Sequence, residues 1–240
     1  MCLVKFAPAL FAFTCIVLAQ SPFHLDYACP PEDIDSFGLS CSPEEPCAVF
    51  LELSAIESAG DRLFVAGNLH TERTTLYGVL LASDDGGKTW TEPLKRLRAA
   101  SLEQIQFADP STGWISGQAI EPLPRDPFLL ITTDGGKSWR QRAIFEESQF
   151  GSIGQFWFDS KTTGRMQLDH SGRHDVYETN TGGENWEMKE SSSRPVVFKG
   201  RTEDTTLRLR PDGKLYHVER RGGSSWSPVA SFIIHVADCK

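Results

Sequence analysis

One eight-residue pattern recurs along this chain and constrains its fold more than any other feature. Ser83-Asp84-Asp85-Gly86-Gly87-Lys88-Thr89-Trp90 returns as Thr132-Thr133-Asp134-Gly135-Gly136-Lys137-Ser138-Trp139. A weaker copy is Thr179-Asn180-Thr181-Gly182-Gly183-Glu184-Asn185-Trp186, and the weakest is Glu219-Arg220-Arg221-Gly222-Gly223-Ser224-Ser225-Trp226. The four tryptophans are spaced by 49, 47 and 40 residues. Self-similarity at such a period means one supersecondary unit copied along the chain, each copy burying its apolar face against a neighbour.

The segments between the boxes read as strands. Leu102–Phe107 alternates apolar and polar residues, Asp109-Pro110-Ser111-Thr112-Gly113 is a turn, Trp114–Gly117 and Phe128–Ile131 are further strands, and Trp139 opens a fourth. The same order appears at Val49–Leu53, Leu63–Ala66, Val79–Ala82 and Trp90, and again at Gln155–Phe158, Met166–Leu168, Val176–Tyr177 and Trp186. The last unit is Val196–Phe198, Leu207–Leu209, Leu215–Val218 and Trp226. No stretch of a dozen residues carries a helical period. An all-β chain follows, with four units of the kind that make β-propeller blades. A closed four-blade ring is the first expectation, and an open ring completed by terminal strands the second.

The box suits a turn between the third and fourth strands of a blade. An Asp carboxylate there accepts backbone N–H groups of its own turn, and the paired glycines permit positive φ where a Cβ would clash. The Trp then buries a large ring between sheets. A structural role is therefore expected for Ser83, Asp85, Gly87, Trp90, Thr132, Asp134, Gly136, Trp139, Thr179, Gly183, Trp186, Gly223 and Trp226. The pattern S/T-x-D-x-G-x-T/S-W resembles the Asp-box, or bacterial neuraminidase repeat, of sialidases, sortilin-type receptors and some glycoside hydrolases. The fuller unit, with Asp109-Pro110-Ser111-Thr112-Gly113-Trp114 ahead of its box, is most similar to the propellers of photosystem II assembly factors and their non-photosynthetic bacterial relatives. The resemblance covers about residues 47–230 and is strong at two boxes. Thr181 replaces the Asp in the third box, and Glu219 and Arg221 depart from the pattern in the fourth.

Chemistry is harder to find. A sialidase would need an Arg triad and a Phe/Tyr-Arg-Ile-Pro segment ahead of the boxes, whereas the first Arg of the sequence is Arg62, in Asp61-Arg62-Leu63-Phe64. Gly87-Lys88-Thr89 and Gly136-Lys137-Ser138 lack the upstream Gly of a phosphate loop, since Ala82 and Ile131 stand there. No Gly-x-Ser-x-Gly elbow is present. His170 and His174 fall in Asp169–Asp175, read as a solvated loop. No catalytic residue, metal site or cofactor is assigned.

The N-terminus reads as an export signal. Lys5 supplies the charge, Phe6–Ala19 is apolar, and Val17-Leu18-Ala19 precedes Gln20, so residues 1–19 are expected to be removed. Of six cysteines, Cys29, Cys41, Cys47 and Cys239 would remain, an even number that suits disulfides in an oxidising compartment. Three pairings are open; Cys29–Cys41 as a local staple and Cys47–Cys239 as a lock between chain ends are favoured. Residues 20–46 would form a Cys- and Pro-rich acidic cap, and 47–240 the propeller. A periplasmic or extracellular location follows.

The resemblance implies that box turns lie opposite the usual ligand face, which is lined by second-to-third-strand and inter-blade loops. These loops carry Arg73, Arg96, Arg98, Arg125 and Arg173, whose planar forks suit carboxylates. With 32 Asp and Glu against 24 Lys and Arg, the chain is net −8, which disfavours nucleic acid as a partner. The expected function is non-catalytic recognition of a protein or polypeptide, as in an assembly factor. The alternatives are a carbohydrate-active enzyme holding a glycan and an extracellular receptor or adhesion module.

Overall fold

The computed structural model describes residues 21–120, 123–196, 198 and 206–240, so the expected signal segment lies outside the described residues. A short helix, α1 (Pro31–Ser36), precedes the sheets. Sheet I follows with β1 (Cys47–Ala59), β2 (Arg62–His70), β3 (Thr75–Ser83) and β4 (Leu97–Arg98). Sheet II has β5 (Ala100–Phe107), β6 (Gly113–Ala119), β7 (Arg125–Thr132) and β8 (Arg140–Ala143). Sheet III has β9 (Ser152–Phe158), β10 (Gly164–His170), β11 (Arg173–Thr179) and β12 (Glu187–Ser192). Sheet IV contains β13 (Leu207–Asp212), β14 (Leu215–Gly222) and β15 (Ser225–Ile233). A last strand, β16 (His235–Cys239), returns to sheet I and pairs with β1. All strand pairs are antiparallel meanders, as short hairpin connections require.

Three apolar clusters join the sheets. Leu51, Leu63 and Leu81 of sheet I meet Val218, Ala230 and Phe232 of sheet IV. Phe64 and Leu80 meet Leu102, Ile115 and Phe128 across sheets I and II. Trp114 and Leu129 meet Ile153, Phe158 and Met166 across sheets II and III. The packing order among the described residues is thus IV–I–II–III, and no closed ring emerges from these contacts. Sheet IV gives the reason on its other face. Arg208 and Arg210 both donate to the buried Glu219 carboxylate, at 2.7 and 3.2 Å, and the Arg208 guanidinium lies 4.2 Å over the Trp226 ring. A charged face in place of an apolar one cannot build a further hydrophobic seam.

The boxes are local hydrogen-bond devices. Asp85 Oδ1 accepts the N–H groups of Lys88 and Thr89 at 3.0 and 2.9 Å, and its Oδ2 accepts the Thr89 hydroxyl at 2.7 Å. Ser83 Oγ accepts the Gly87 N–H at 2.8 Å and donates to Asp85. The Thr89 backbone N–H and hydroxyl hold Asp85 down at about 2. Asp134 repeats the arrangement with Lys137, Ser138 and Thr132, and the Ser138 hydroxyl and N–H depress its ionisation further. In the third box the Thr181 hydroxyl substitutes, accepting Asn185 N–H at 3.0 Å, while Thr179 still accepts Gly183 N–H at 3.2 Å. The second glycine of each of these boxes rests on the preceding sheet: an added Cβ would fall 2.4 Å from Val229 at Gly87, 2.4 Å from Phe64 at Gly136 and 3.2 Å from Leu129 at Gly183.

The fourth unit departs from expectation. Its box is a hairpin in which Gly222 pairs with Ser225, leaving Gly223 and Ser224 as the turn and Trp226 inside β15. No carboxylate organises it, because Arg221 stands at the Asp position and a two-residue turn leaves no orphan N–H groups for one to cap. Val196 and Phe198, expected in its first strand, lie outside any strand.

Side-chain amides stitch each sheet to the next. Asn68 of sheet I clamps the Leu102 backbone, accepting its N–H at 2.8 Å and donating to its carbonyl at 3.3 Å. Gln106 of sheet II does the same to Phe158 of sheet III, at 2.8 Å both ways. Gln104 takes the Phe156 N–H and the Gly154 carbonyl. Gln167 then accepts the Val196 N–H at 2.7 Å, and Gln155 donates to the Val196 carbonyl. These amides satisfy backbone groups at the sheet interfaces that would otherwise be buried unpaired.

The disulfides correct the favoured pairing. Cys29 joins Cys239 and Cys41 joins Cys47, each with Cα atoms 5.3 Å apart. Cys47 and Cys239 face each other across the β1–β16 pair, so all four sulfurs crowd one corner and proximity in the sheet does not choose the partner. The choice falls to the N-terminal segment. Phe23 bridges to Phe232 at the edge of sheet IV, and α1 then separates Cys29 from Cys41. Cys29 is thereby left over the terminal strand, and Cys41 beside the start of β1.

Candidate functional site

The β2–β3, β6–β7 and β10–β11 connections each place one of the expected arginines near the start of a third strand. Arg73 lies in the β2–β3 turn, where the Thr71 hydroxyl accepts the N–H groups of Arg73 and Thr74, both at 3.2 Å, and leaves the arginine side chain exposed. Arg125 begins β7, donates to Asp126 at 2.9 Å and to Ser148, and lies 5.8 Å over the Phe150 ring. Arg173 begins β11, donates to Ser191 and stands 3.9 Å from Asp175.

These connections form one continuous surface. Thr71–Thr75 of the first and Ile120 and Pro124 of the second line a common cleft of about 400 Å3 with Glu52 and His70. Pro124 accepts the Gly151 N–H at 3.0 Å, and Gly151 in turn packs beside Asp169 and His170 at the β10–β11 hairpin. Leu123 and Phe150, both 59% exposed, stand on this surface. On its far side a cleft of about 580 Å3 separates the β2–β3 turn from Phe37–Ser40 and Glu45–Ala48. The backbone is strained here as well: Cys29, Ala99, Asp126 and Ser171, the positive-φ residues other than glycine among those described, lie in the N-terminal segment or in connections at this end. Left-handed φ in such residues costs about 1–3 kcal/mol each and persists only where the surroundings enforce it. Ser148, Arg125 and the Gln149 N–H hold the Asp126 carboxyl below its usual range.

Arg96 and Arg98 are placed differently from the other three. Arg98 belongs to β4, opposite Tyr77, rather than to an inter-blade loop. Its guanidinium lies 3.9 Å over Phe37 and donates to Asp33, at 3.4 Å, and to Ser36. Asp33 is only 4% exposed and also accepts the Tyr27 and Tyr77 hydroxyls, both at 2.7 Å. Burial and the Asp33 carboxylate push Tyr77 up to about 12 and Tyr27 well above its usual range. Arg96 grips Glu92 with two bonds of 2.8 Å and the Asp26 carbonyl at 2.7 Å. Both arginines fasten the N-terminal segment to sheet I.

His170 and His174 sit in strands joined by a Ser171-Gly172 turn, not in a loop. His170 Nε2 meets Asp175 at 2.5 Å and His174 Nδ1 meets Asp169 at 2.6 Å. Burial pushes the Asp175 carboxyl up, but the Ser191 hydroxyl, His170 and Arg173 outweigh it and the net direction is down. The β10–β11 register pairs His174 with Asp169 and His170 with Arg173, so the imidazoles project from opposite faces and share no ligand.

Sequence reasoning missed the amide clamps and the Asp33 cluster. A lone Asn or Gln within a strand is their sole trace in the sequence, because both partners are distant in the chain.

The fold defines an all-β protein of four antiparallel sheets with three to five strands each, an arrangement consistent with a β-propeller. No family model matches the chain. An oligoxyloglucan-reducing end-specific xyloglucanase from Emericella nidulans is 31% identical over 65 residues, which are 26% of this chain and 8% of that enzyme. YCF48 from Cyanidioschyzon merolae is similar in structure, with 20% identity, 74% of this chain and 56% of that chain covered, and a TM-score of 0.42. A protein of unknown function from Dyadobacter fermentans has 14% identity, 77% and 65% coverage and a TM-score of 0.40. A polysaccharide lyase, an ulvan lyase, has 8% identity, 82% and 54% coverage and a TM-score of 0.43. This chain therefore spans 8% of the curated relative and 54% to 65% of these solved structures. No helix among the described residues is long and apolar enough to cross a membrane.

Proposed function

We propose that this chain is an exported, non-catalytic binding protein. In this reading residues 1–19 direct export, 20–46 cap the fold, and 47–240 form an Asp-box propeller of four blades. An extended polypeptide partner lies across the end that carries the second-to-third-strand connections. The observation that carries the reading is the exposed pair Leu123 and Phe150, set beside Arg125 on a surface whose connections are strained. Apolar anchors next to arginine are what a partner's aliphatic and acidic side chains require. Arg73, Arg125 and Arg173 are the anchors, whereas Arg96 and Arg98 serve the N-terminal segment. Two disulfides suit an oxidising compartment.

A carbohydrate-active reading is supported by the 65-residue match to a xyloglucanase and by the abundance of carboxylates. Site-specific photo-crosslinking in the native compartment separates the two. A crosslinker at position 150 or 73 is expected to trap one common polypeptide, while positions 88 and 137 in the box turns do not. Equal trapping at the box turns refutes the surface, and hydrolysis of a glycan by the purified chain replaces the reading.

A further inference from the structure

A cleft of about 510 Å3 lies where the first strands of three sheets approach one another, bounded by Ser54–Ser58 of β1, Glu103–Phe107 of β5, Phe156 and Trp157 of β9, and Leu207. Much of its polar lining is already engaged. The amides of Gln104 and Gln106 clamp the β9 backbone, and the Ser54 hydroxyl donates to the Leu102 carbonyl at 2.7 Å. What faces the space is the half-buried ring of Trp157, apolar wall from Ile56 and Phe107, and the half-buried carboxylates of Glu57 and Glu103. Glu57 accepts the Ser58 N–H at 2.9 Å, and the indole N–H of Trp157 donates to Asp159 at 3.1 Å, leaving the ring faces for other contacts. No Lys, Arg or His lines the cleft.

This lining selects by charge and shape. An anion would meet two carboxylates in a partly desolvated space, and a neutral ligand would leave their charge uncompensated. A hard divalent cation requires six or more oxygen ligands, and no group of three metal-ligating side chains occurs among the described residues. A cation carried on a hydrocarbon stem satisfies the whole set: its charge pairs with carboxylate, its face-on approach to Trp157 is a cation–π contact, and its methylenes cover Ile56 and Phe107. We propose that this cleft binds an aliphatic ammonium group, supplied by a free diamine or by a lysine side chain.

Calorimetric titration of the disulfide-intact chain with 1,4-diaminobutane and with Nα-acetyl-lysine methylamide tests the assignment. At least one amine is expected to bind, more weakly at high salt, and the tighter of the two identifies the source. Glu103→Gln is expected to weaken it by about tenfold or more, as loss of one charged hydrogen bond does. Trp157→Leu is expected to weaken it several-fold. Glu146→Gln, in an exposed loop, leaves it unchanged. If Glu103→Gln does not fold, the Trp157 indole resonance of the parent chain serves as the reporter and must shift with either amine. No binding of either amine at about 10 mM, the weak end of specific recognition, overturns the proposal. So does unchanged affinity in folded Glu103→Gln, or equal binding of 1-butanol.

Discussion

Replacing Gly136 by Ala tests whether the boxes hold the sheets together or merely turn the chain. Gly136 has φ of +76°, and its added Cβ would lie 2.4 Å from Cζ of Phe64. Phe64 is fully buried, stacks on Phe107 at 5.0 Å and meets Trp139 edge-on at 6.0 Å, so it has nowhere to retreat. The left-handed backbone costs an L-residue about 1–2 kcal/mol, and overpacking a filled core adds about 1–3 kcal/mol. Gly86→Ala is the matched control, with φ of +74° and no atom within 4 Å of the new Cβ. It carries only the backbone part. Urea denaturation should therefore show Gly136→Ala less stable than Gly86→Ala by about 1–3 kcal/mol, with melting lower by roughly 2–4 °C per kcal/mol. Equal losses would mean that the second glycine bears no inter-sheet contact, and the account of box packing would fall.

Three further outcomes follow from the same contacts. Non-reducing peptide mapping should recover Cys29–Cys239 and Cys41–Cys47; with sequence separations of 210 and 6, loop-closure entropy makes removal of the first cost about 5 kcal/mol and of the second about 2 kcal/mol by denaturant titration. The Asp85 carboxyl is held down at about 2, so its contribution to stability is fully present above its unfolded value near 4 and disappears as pH falls through 2. Melting curves between these values should flatten in Asp85→Asn, and an unchanged slope would count against the box hydrogen bonds. Gln106→Ala leaves both backbone groups of Phe158 without their partners, and a loss of about 1–3 kcal/mol is expected in denaturant titration; a change below about 0.5 kcal/mol, typical of an unconstrained surface site, would discount the clamp.

Most of the architecture was readable from sequence because it is written in short-range contacts. The bonds of Asp85 and Asp134 span three or four residues, so the residue types and their spacing already contain the turn. Strands between the boxes follow from alternation and turn residues for the same reason. The candidate surface was half readable: Arg73, Arg125 and Arg173 sit in connections that the repeat locates, but Leu123 and Phe150 carry no pattern that marks them as exposed. Where the sequence pattern broke, at Arg221, the turn shortened to two residues.

What the tertiary structure alone decided is every contact whose partner lies far along the chain. Four cysteines were plain in the sequence, yet their pairing depended on α1 and on Phe23 at the edge of sheet IV. Arg98 reads as a loop charge until Asp33, 65 residues away, is brought beneath it. Asn68 reads as a polar residue in a strand until Leu102 is folded against it. Residue identity states what a side chain can bond, and short spacing states when the partner is local. For distant partners only the packing of sheets determines which of many equivalent groups arrives.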